Sequence, residues 1–193
     1  MVLSIGTNNI KTAIFISGTG SNLKSLIKFS KLKKSPISIN LIITNNKLAK
    51  GLKYRDIFKI KKRIIYFKNI EIAEKKILNE LEINKIELVC LAGFMKILSK
   101  NFIKNFKGKI LNIHPSLLPK YKGLNTHKRA IENKDKYSGC TVHFVNAKLD
   151  SGKIILQKKV NILKKDTQDK LAKRILAEEH KLYPKAILKI FSL

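Results

Sequence analysis

Short apolar runs alternate with amphipathic stretches along nearly the whole chain. Lys11–Ile16 (KTAIFI) is rich in β-branched residues and is closed by Ser17-Gly18-Thr19-Gly20, which predicts a buried strand ending in a turn. Ser21 is then the expected N-cap of a helix whose apolar face is Leu23, Leu26 and Ile27. Pro36 interrupts the chain, and Ile37–Ile43 predicts a second strand. Lys47–Ile60 is weakly helical, and Arg63–Phe67 predicts a third strand. Between Glu71 and Asn84, Ala73, Ile77, Leu78 and Leu81 fall on one helical face. Leu88–Ala92 and Lys109–Ile113 predict strands, and Thr126–Asn133 a helix. Cys140–Val145 and Ile154–Val160 predict two more strands. The last element, Thr167 to Ile190, is a long amphipathic helix carrying Leu171, Ile175, Leu182 and Ile187.

Strands alternating with helices imply βαβ units, hence an α/β fold: a doubly wound, mostly parallel, Rossmann-like sheet. The last two strands follow one another without a full helix between them, so they are expected to form a partly antiparallel edge. Repeats, low-complexity segments and linkers are missing, and a single domain over residues 1–193 is the expectation. In such sheets ligands bind outside the carboxyl ends of the strands. That rule brings the Ser17–Asn22 loop, the Gly93–Leu98 segment and the Asn112–Pro115 turn to one rim.

Composition changes this picture little. With 44% hydrophobic and 28% charged residues, the chain is an ordinary globular one. Cys90 and Cys140 have no CxxC partner, and Cys90 sits in the apolar run LVCLAG, so both read as buried, reduced thiols of a reducing compartment. The first residues lack the charged-then-apolar order of a signal peptide. No apolar run approaches the ~18 residues of a membrane span. A cytoplasmic protein without membrane contact is expected.

The formal net charge of +28 points at first sight to nucleic acid. Yet of the 41 basic residues only Arg55, Arg63, Arg129 and Arg174 are arginines, the residue on which base and phosphate forks lean. Lysine is spread along the whole chain beside abundant Ile and Asn, as an A/T-rich genome would produce. No specific nucleic-acid partner is expected, although an anionic substrate would be drawn in.

Two constellations carry chemistry. Ser17-Gly18-Thr19-Gly20-Ser21-Asn22-Leu23 follows a strand and opens a helix, where glycines let the backbone approach an anion and the helix N-terminus offers unpaired N–H groups. It is not a dinucleotide fingerprint. Leu23 replaces the third glycine, and Ile43-Thr44-Asn45-Asn46 carries no acid for a ribose hydroxyl. Either a single-phosphate cradle, with Ser21 and Asn22 as side-chain donors, or a tight turn without ligand accounts for it. The second is Asn112-Ile113-His114-Pro115, in which Asn112 and His114 lie two apart at a strand end and project to one side. A lone His is commonly structural. Together with Asp150, in Leu149-Asp150-Ser151-Gly152, the set supplies what amine acylation needs: an amide donor for an oxyanion, an acid/base and a tuning carboxylate.

The segments ISGTGSNL, LAGFMKILS, LNIHPSLLPKYKGLNTHKRA and VHFVNAKLDSGKIILQ, in this order, resemble the phosphoribosylglycinamide formyltransferase branch of the folate-dependent formyltransferases. The resemblance extends to Ala177-Glu178-Glu179-His180 and Tyr183-Pro184. It implies formyl transfer from 10-formyltetrahydrofolate to glycinamide ribonucleotide, directly and without a metal, by a monomer or homodimer. It also implies that Gly20, Ser21 and Asn22 hold the substrate phosphate and Glu179 the ribose. Met95, Lys96, Ile97 and Leu98 would line the folate pocket through backbone groups, joined by Asn112. Asn112, His114 and Asp150 would form the catalytic trio, with a protonated His114 favoured by Asp150.

Two departures stand out: Ile70 occupies a place where that family often has Arg near the folate tail, and Lys96 one where Arg is common. His127 and His180 read as capping or orienting groups, and His143 as packing. Three rivals remain. A methionyl-tRNA formyltransferase shares the Asn-x-His-Pro core but normally continues into a tRNA-binding domain, for which the chain leaves no room after Leu193. A formyltetrahydrofolate deformylase carries an added N-terminal domain. A basic nucleic-acid-binding module leaves Asn112, His114 and Asp150 unexplained and lacks aromatics placed for stacking.

Overall fold

In a computed structural model, residues 9–191 are described; the reading of the first residues and the outer bounds of the expected domain lie outside them. Seven strands form one sheet: β1 (Ile10–Ile16), β2 (Ile37–Thr44), β3 (Lys61–Ile64), β4 (Leu88–Leu91), β5 (Lys109–His114), β6 (Tyr137–Phe144) and β7 (Ile154–Asn161). Their order is β3-β2-β1-β4-β5-β6-β7. The first five run parallel, while β6 is antiparallel to both β5 and β7. The expected doubly wound sheet with an antiparallel edge is what forms.

The apolar runs are continuous because the parallel strands are covered on both faces. Alternate residues serve different layers. Ile14 and Ile16 pack with Leu23, Leu26 and Ile27 of α1 (Ser21–Ser30) and with Leu171, Ile175 and Tyr183 of the last helix. Ala13 and Phe15 face the other layer, against Ala73, Ile77 and Leu81 of α3 (Ile70–Ile83) and Phe102 of α4 (Lys100–Asn105). Between these, Lys50–Leu52 makes a 3₁₀ turn leading into α2 (Lys53–Phe58). The chain closes with α5 (Thr126–Glu132) and α6 (Gln168–Phe191).

Several expectations need correction. Ser21 does not cap α1: Gly20 holds the N-cap position at φ 72°, with no side-chain capping bond, and Ser21 is the first helical residue. The β3 strand lies at Lys61–Ile64 rather than Arg63–Phe67, because Tyr66 and Phe67 leave the sheet and Phe67 packs edge-on against Phe94. Helix α4 was not anticipated, although Ser99, whose side chain accepts from the Phe102 N–H, is a serine N-cap of the expected kind. Strand β6 begins at Tyr137, three residues before Cys140; Gly139, a poor strand former, hides its start.

The sheet order reverses between β1 and β4, and the segments after these strands open the rim. Ala92 N–H donates to the Phe15 carbonyl (2.9 Å) and Ser17 N–H to the Gly93 carbonyl (3.1 Å), so the two strand ends are stitched together.

Candidate active site

A cavity of about 530 Å³ lies along this rim, bordered by Asn22, Met95–Leu98, Asn112, His114, Asp150 and Glu179 among others. Strand β5 delivers Asn112 and His114 on one face, since the residues between and before them, Ile113 and Leu111, point into the core. Asp150 comes from the loop between β6 and β7, held in the left-handed region at φ 45°, which Asp tolerates better than most residues.

The carboxylate and the imidazole meet. Asp150 Oδ2 lies 3.3 Å from His114 Nδ1, and both side chains are 7% exposed. His114 Nε2 lies 2.9 Å from the Tyr121 carbonyl. A carbonyl only accepts, so Nε2 carries a hydrogen and Nδ1 is the nitrogen that gains or loses a proton. Asp150 Oδ2 also accepts from the Gly123 N–H at 2.9 Å, and Asn112 Nδ2 reaches Asp150 Oδ1 at 3.4 Å.

Burial pulls the His114 imidazole below its ordinary range, and the Tyr121 carbonyl and the Asp150 charge do not fully offset it. The shift therefore favours the neutral ring over the imidazolium. Burial also works to raise the Asp150 carboxyl, but the His143 ring facing it, the Gly123 N–H and the His114 ring outweigh it, and the group stays below the usual carboxylate range.

His143 is not mere packing, as expected from sequence. Across the β5/β6 ladder it pairs with Asn112. Its Nδ1 lies 2.8 Å from the Phe144 carbonyl and must donate there, which leaves Nε2 to accept from Asn112 Nδ2 at 3.3 Å. Asn112 is thus turned with its NH₂ toward Asp150 and His143. The signal was present in the antiparallel edge: Asn112-x-His114 opposite Thr141-x-His143 puts four polar side chains on one face.

The glycine-rich loop is shaped by packing. A Cβ on Gly20 would stand 2.5 Å from Gly51 Cα, so both its positive φ and this close approach demand glycine without reference to a ligand. Asn22 is 7% exposed and donates through Nδ2 to Glu179 Oε2 at 2.6 Å. One hydrogen of its NH₂ group is engaged inside the protein, while its Oδ1 has no partner. Burial raises the Glu179 carboxyl to about 7, against the opposing effect of the Asn22 hydrogen bond.

The remaining cavity wall is Met95–Leu98. Met95 N–H donates to Ser17 Oγ at 2.8 Å. Among the described residues the backbone groups of Lys96, Ile97 and Leu98 make no hydrogen bond within the protein. Ile70 opens α3 and is 45% exposed.

An acid–base pair beside an amide donor, at the rim of a doubly wound sheet, is the frame of a group-transfer enzyme. The formyl transferase pattern matches residues 10–187, and the chain belongs to the formyl transferase family. Phosphoribosylglycinamide formyltransferase of Escherichia coli (strain K12) is 39% identical over 177 residues, covering 90% of this chain and 84% of that one. The crystal structure of the Brucella melitensis protein of the same name superposes with a TM-score of 0.89 at 41% identity, over 95% of this chain and 96% of that one. Within the family the chain falls in this phosphoribosylglycinamide formyltransferase branch. The trifunctional purine biosynthetic protein adenosine-3 of Gallus gallus is 42% identical over 189 residues; the match covers 95% of this chain and 18% of that protein's length.

Proposed function

We propose that the chain transfers the formyl group of 10-formyltetrahydrofolate to the amine of N1-(5-phospho-D-ribosyl)glycinamide. The observation that carries this reading is the 3.3 Å approach of Asp150 to His114 Nδ1 beside Asn112, inside a cavity large enough for a heterocyclic donor.

The substrate amine attacks the formyl carbon, forming the C–N bond and an oxyanion. Asn112 Nδ2 is placed to stabilise that oxyanion. Its contacts to His143 and Asp150, at 3.3 and 3.4 Å, are at the long limit, so a full negative charge is the stronger acceptor. Resting as the neutral imidazole, His114 takes the proton released by the attacking nitrogen on Nδ1, where Asp150 steadies the resulting positive charge. The proton passes to folate N10 as the C–N10 bond breaks, tetrahydrofolate leaves, and the amide remains. Each such device is worth ~10²–10⁴ in rate.

Backbone groups at Lys96–Leu98 would hold the pteridine edge, Gly20 and Ser21 would offer N–H groups to the phosphate, and Glu179 would meet the ribose. Ile70, in place of arginine, would leave recognition of the donor's acidic tail to Lys68, while Lys96 in place of arginine changes little where the backbone makes the contact. The setting proposed is the cytoplasm, with small-molecule partners and a monomer or homodimer. No helix among the described residues is long and apolar enough to cross a membrane.

The test is direct: purified protein with 10-formyltetrahydrofolate and the ribonucleotide, following release of tetrahydrofolate. Turnover dependent on both substrates is expected; donor hydrolysis without acceptor would turn the reading toward deformylation.

A further inference from the structure

Glu74 is a buried carboxylate, 5% exposed, on the inner face of α3 and outside the trio at the rim. Among the described residues no cation lies within ion-pair distance of it, and its two oxygens serve one residue. Ser99 N–H donates to Oε1 at 2.7 Å and Ser99 Oγ–H to Oε2 at 2.5 Å. Ser99 Oγ in turn accepts the Phe102 N–H and starts α4. A buried charge costs free energy unless its hydrogen bonds are well made, so a cation-free carboxylate at this place has a specific task.

The task follows from what lies next to Ser99. The segment Met95–Leu98 forms one cavity wall in irregular backbone, with Lys96 and Ile97 exposed and only Leu98 packed in the core. Its near end is pinned by Met95 N–H on Ser17 Oγ, and by Phe94 edge-on to Phe15 at 5.3 Å between ring centres. Its far end is pinned by Glu74. Between these pins the free backbone groups of Lys96–Leu98 have only the two anchors and Leu98 to fix their direction.

We propose that Glu74 is a positioning residue for the formyl donor: through Ser99 it fixes the aim of the Lys96–Leu98 backbone, and so affinity for the donor but not for the ribonucleotide. This rests on the reading above that the donor binds this wall.

The experiment compares Glu74→Gln, Glu74→Ala and Ser99→Ala with the parent chain, measuring both Michaelis constants, the dissociation constant of 10-formyltetrahydrofolate and amide exchange at Met95. Loss of a hydrogen bond to a charged group predicts that the donor constants rise about tenfold or more in Glu74→Ala, and less in Glu74→Gln and Ser99→Ala, which each keep one of the two bonds. The ribonucleotide constant changes less than twofold, and Met95 exchanges faster because the wall loosens as a unit. A parallel rise in both constants, or an unchanged donor constant, overturns the proposal. If Glu74→Ala does not fold, the other two variants decide. If the parent chain binds no folate at all, the functional reading fails, and Met95 exchange still judges the pin: unchanged protection in the variants refutes it.

Discussion

Glu179 makes the stability of the protein depend on pH in an unusual direction. Its carboxyl, 7% exposed, is raised from an ordinary 4.5 to about 7, chiefly by burial. The fold therefore holds a proton that the unfolded chain releases once pH passes 4.5. Between 4.5 and about 7 the folded state binds more protons than the unfolded one, so this group's contribution falls with rising pH and levels off above about 7. At ~1.4 kcal/mol per pH unit, the gap amounts to ~3 kcal/mol of stability missing at pH ~8 relative to pH ~4. Glu179→Gln keeps an oxygen to accept from Asn22 and has nothing to ionise. Urea unfolding of both proteins between pH ~4 and ~8 should give similar stabilities at the acid end. The variant should gain ~3 kcal/mol over the parent at the alkaline end, a large fraction of a typical 5–15 kcal/mol total. A stability difference that stays constant across this range would refute the reasoning.

Further expectations concern the site and the core. His114→Ala and Asp150→Asn should each cut turnover by ~10²–10⁴ while leaving the melting temperature within a few degrees; near-normal rates in both would sink the mechanism. Substituting Ser21 should raise the Michaelis constant for the ribonucleotide more than that for the folate, and the reverse pattern would mean the two pockets are exchanged. Gly20→Ala forces a Cβ against Gly51 at 2.5 Å in a left-handed backbone and should cost at least ~1–2 kcal/mol in thermal unfolding, an idea abandoned if the melt is unchanged. Burial pushes the Cys90 and Cys140 thiols to about 12, so a thiol reagent should label neither until denaturant is added.

Much of the fold was legible because each parallel strand is buried on both faces and so leaves an unbroken apolar run, as KTAIFI and LVCL do. Legibility failed where a local signal competed with a tertiary one. RIIYF reads as strand, yet Phe67 leaves the sheet and stacks edge-on with Phe94, which in turn packs on Phe15. Helix α4 is a turn and a half long, too short for periodicity to register, and is fixed by Ser99 and Glu74 instead. In the site, Asn112, His114 and Asp150 were recognisable as residue types, but their approach depends on Tyr121, Gly123 and His143, contacts between loops that spacing does not encode. The Asn22–Glu179 bond spans 157 positions and could not have been read along the chain. For His114 the effect of the neighbouring Asp150 charge can be read from sequence, whereas the opposing depth of burial cannot.

Helix α6 sends Tyr183 between two strands, where its hydroxyl lies 3.1 Å from both the Leu91 and the Leu111 carbonyls, one turn beyond Glu179. During synthesis the five parallel strands emerge first, yet the Leu91 and Leu111 carbonyls gain the Tyr183 hydroxyl only when the final helix docks. A ribosome-bound chain stalled before residue 183 would own every member of the trio and still lack this bridge beneath the two strand ends.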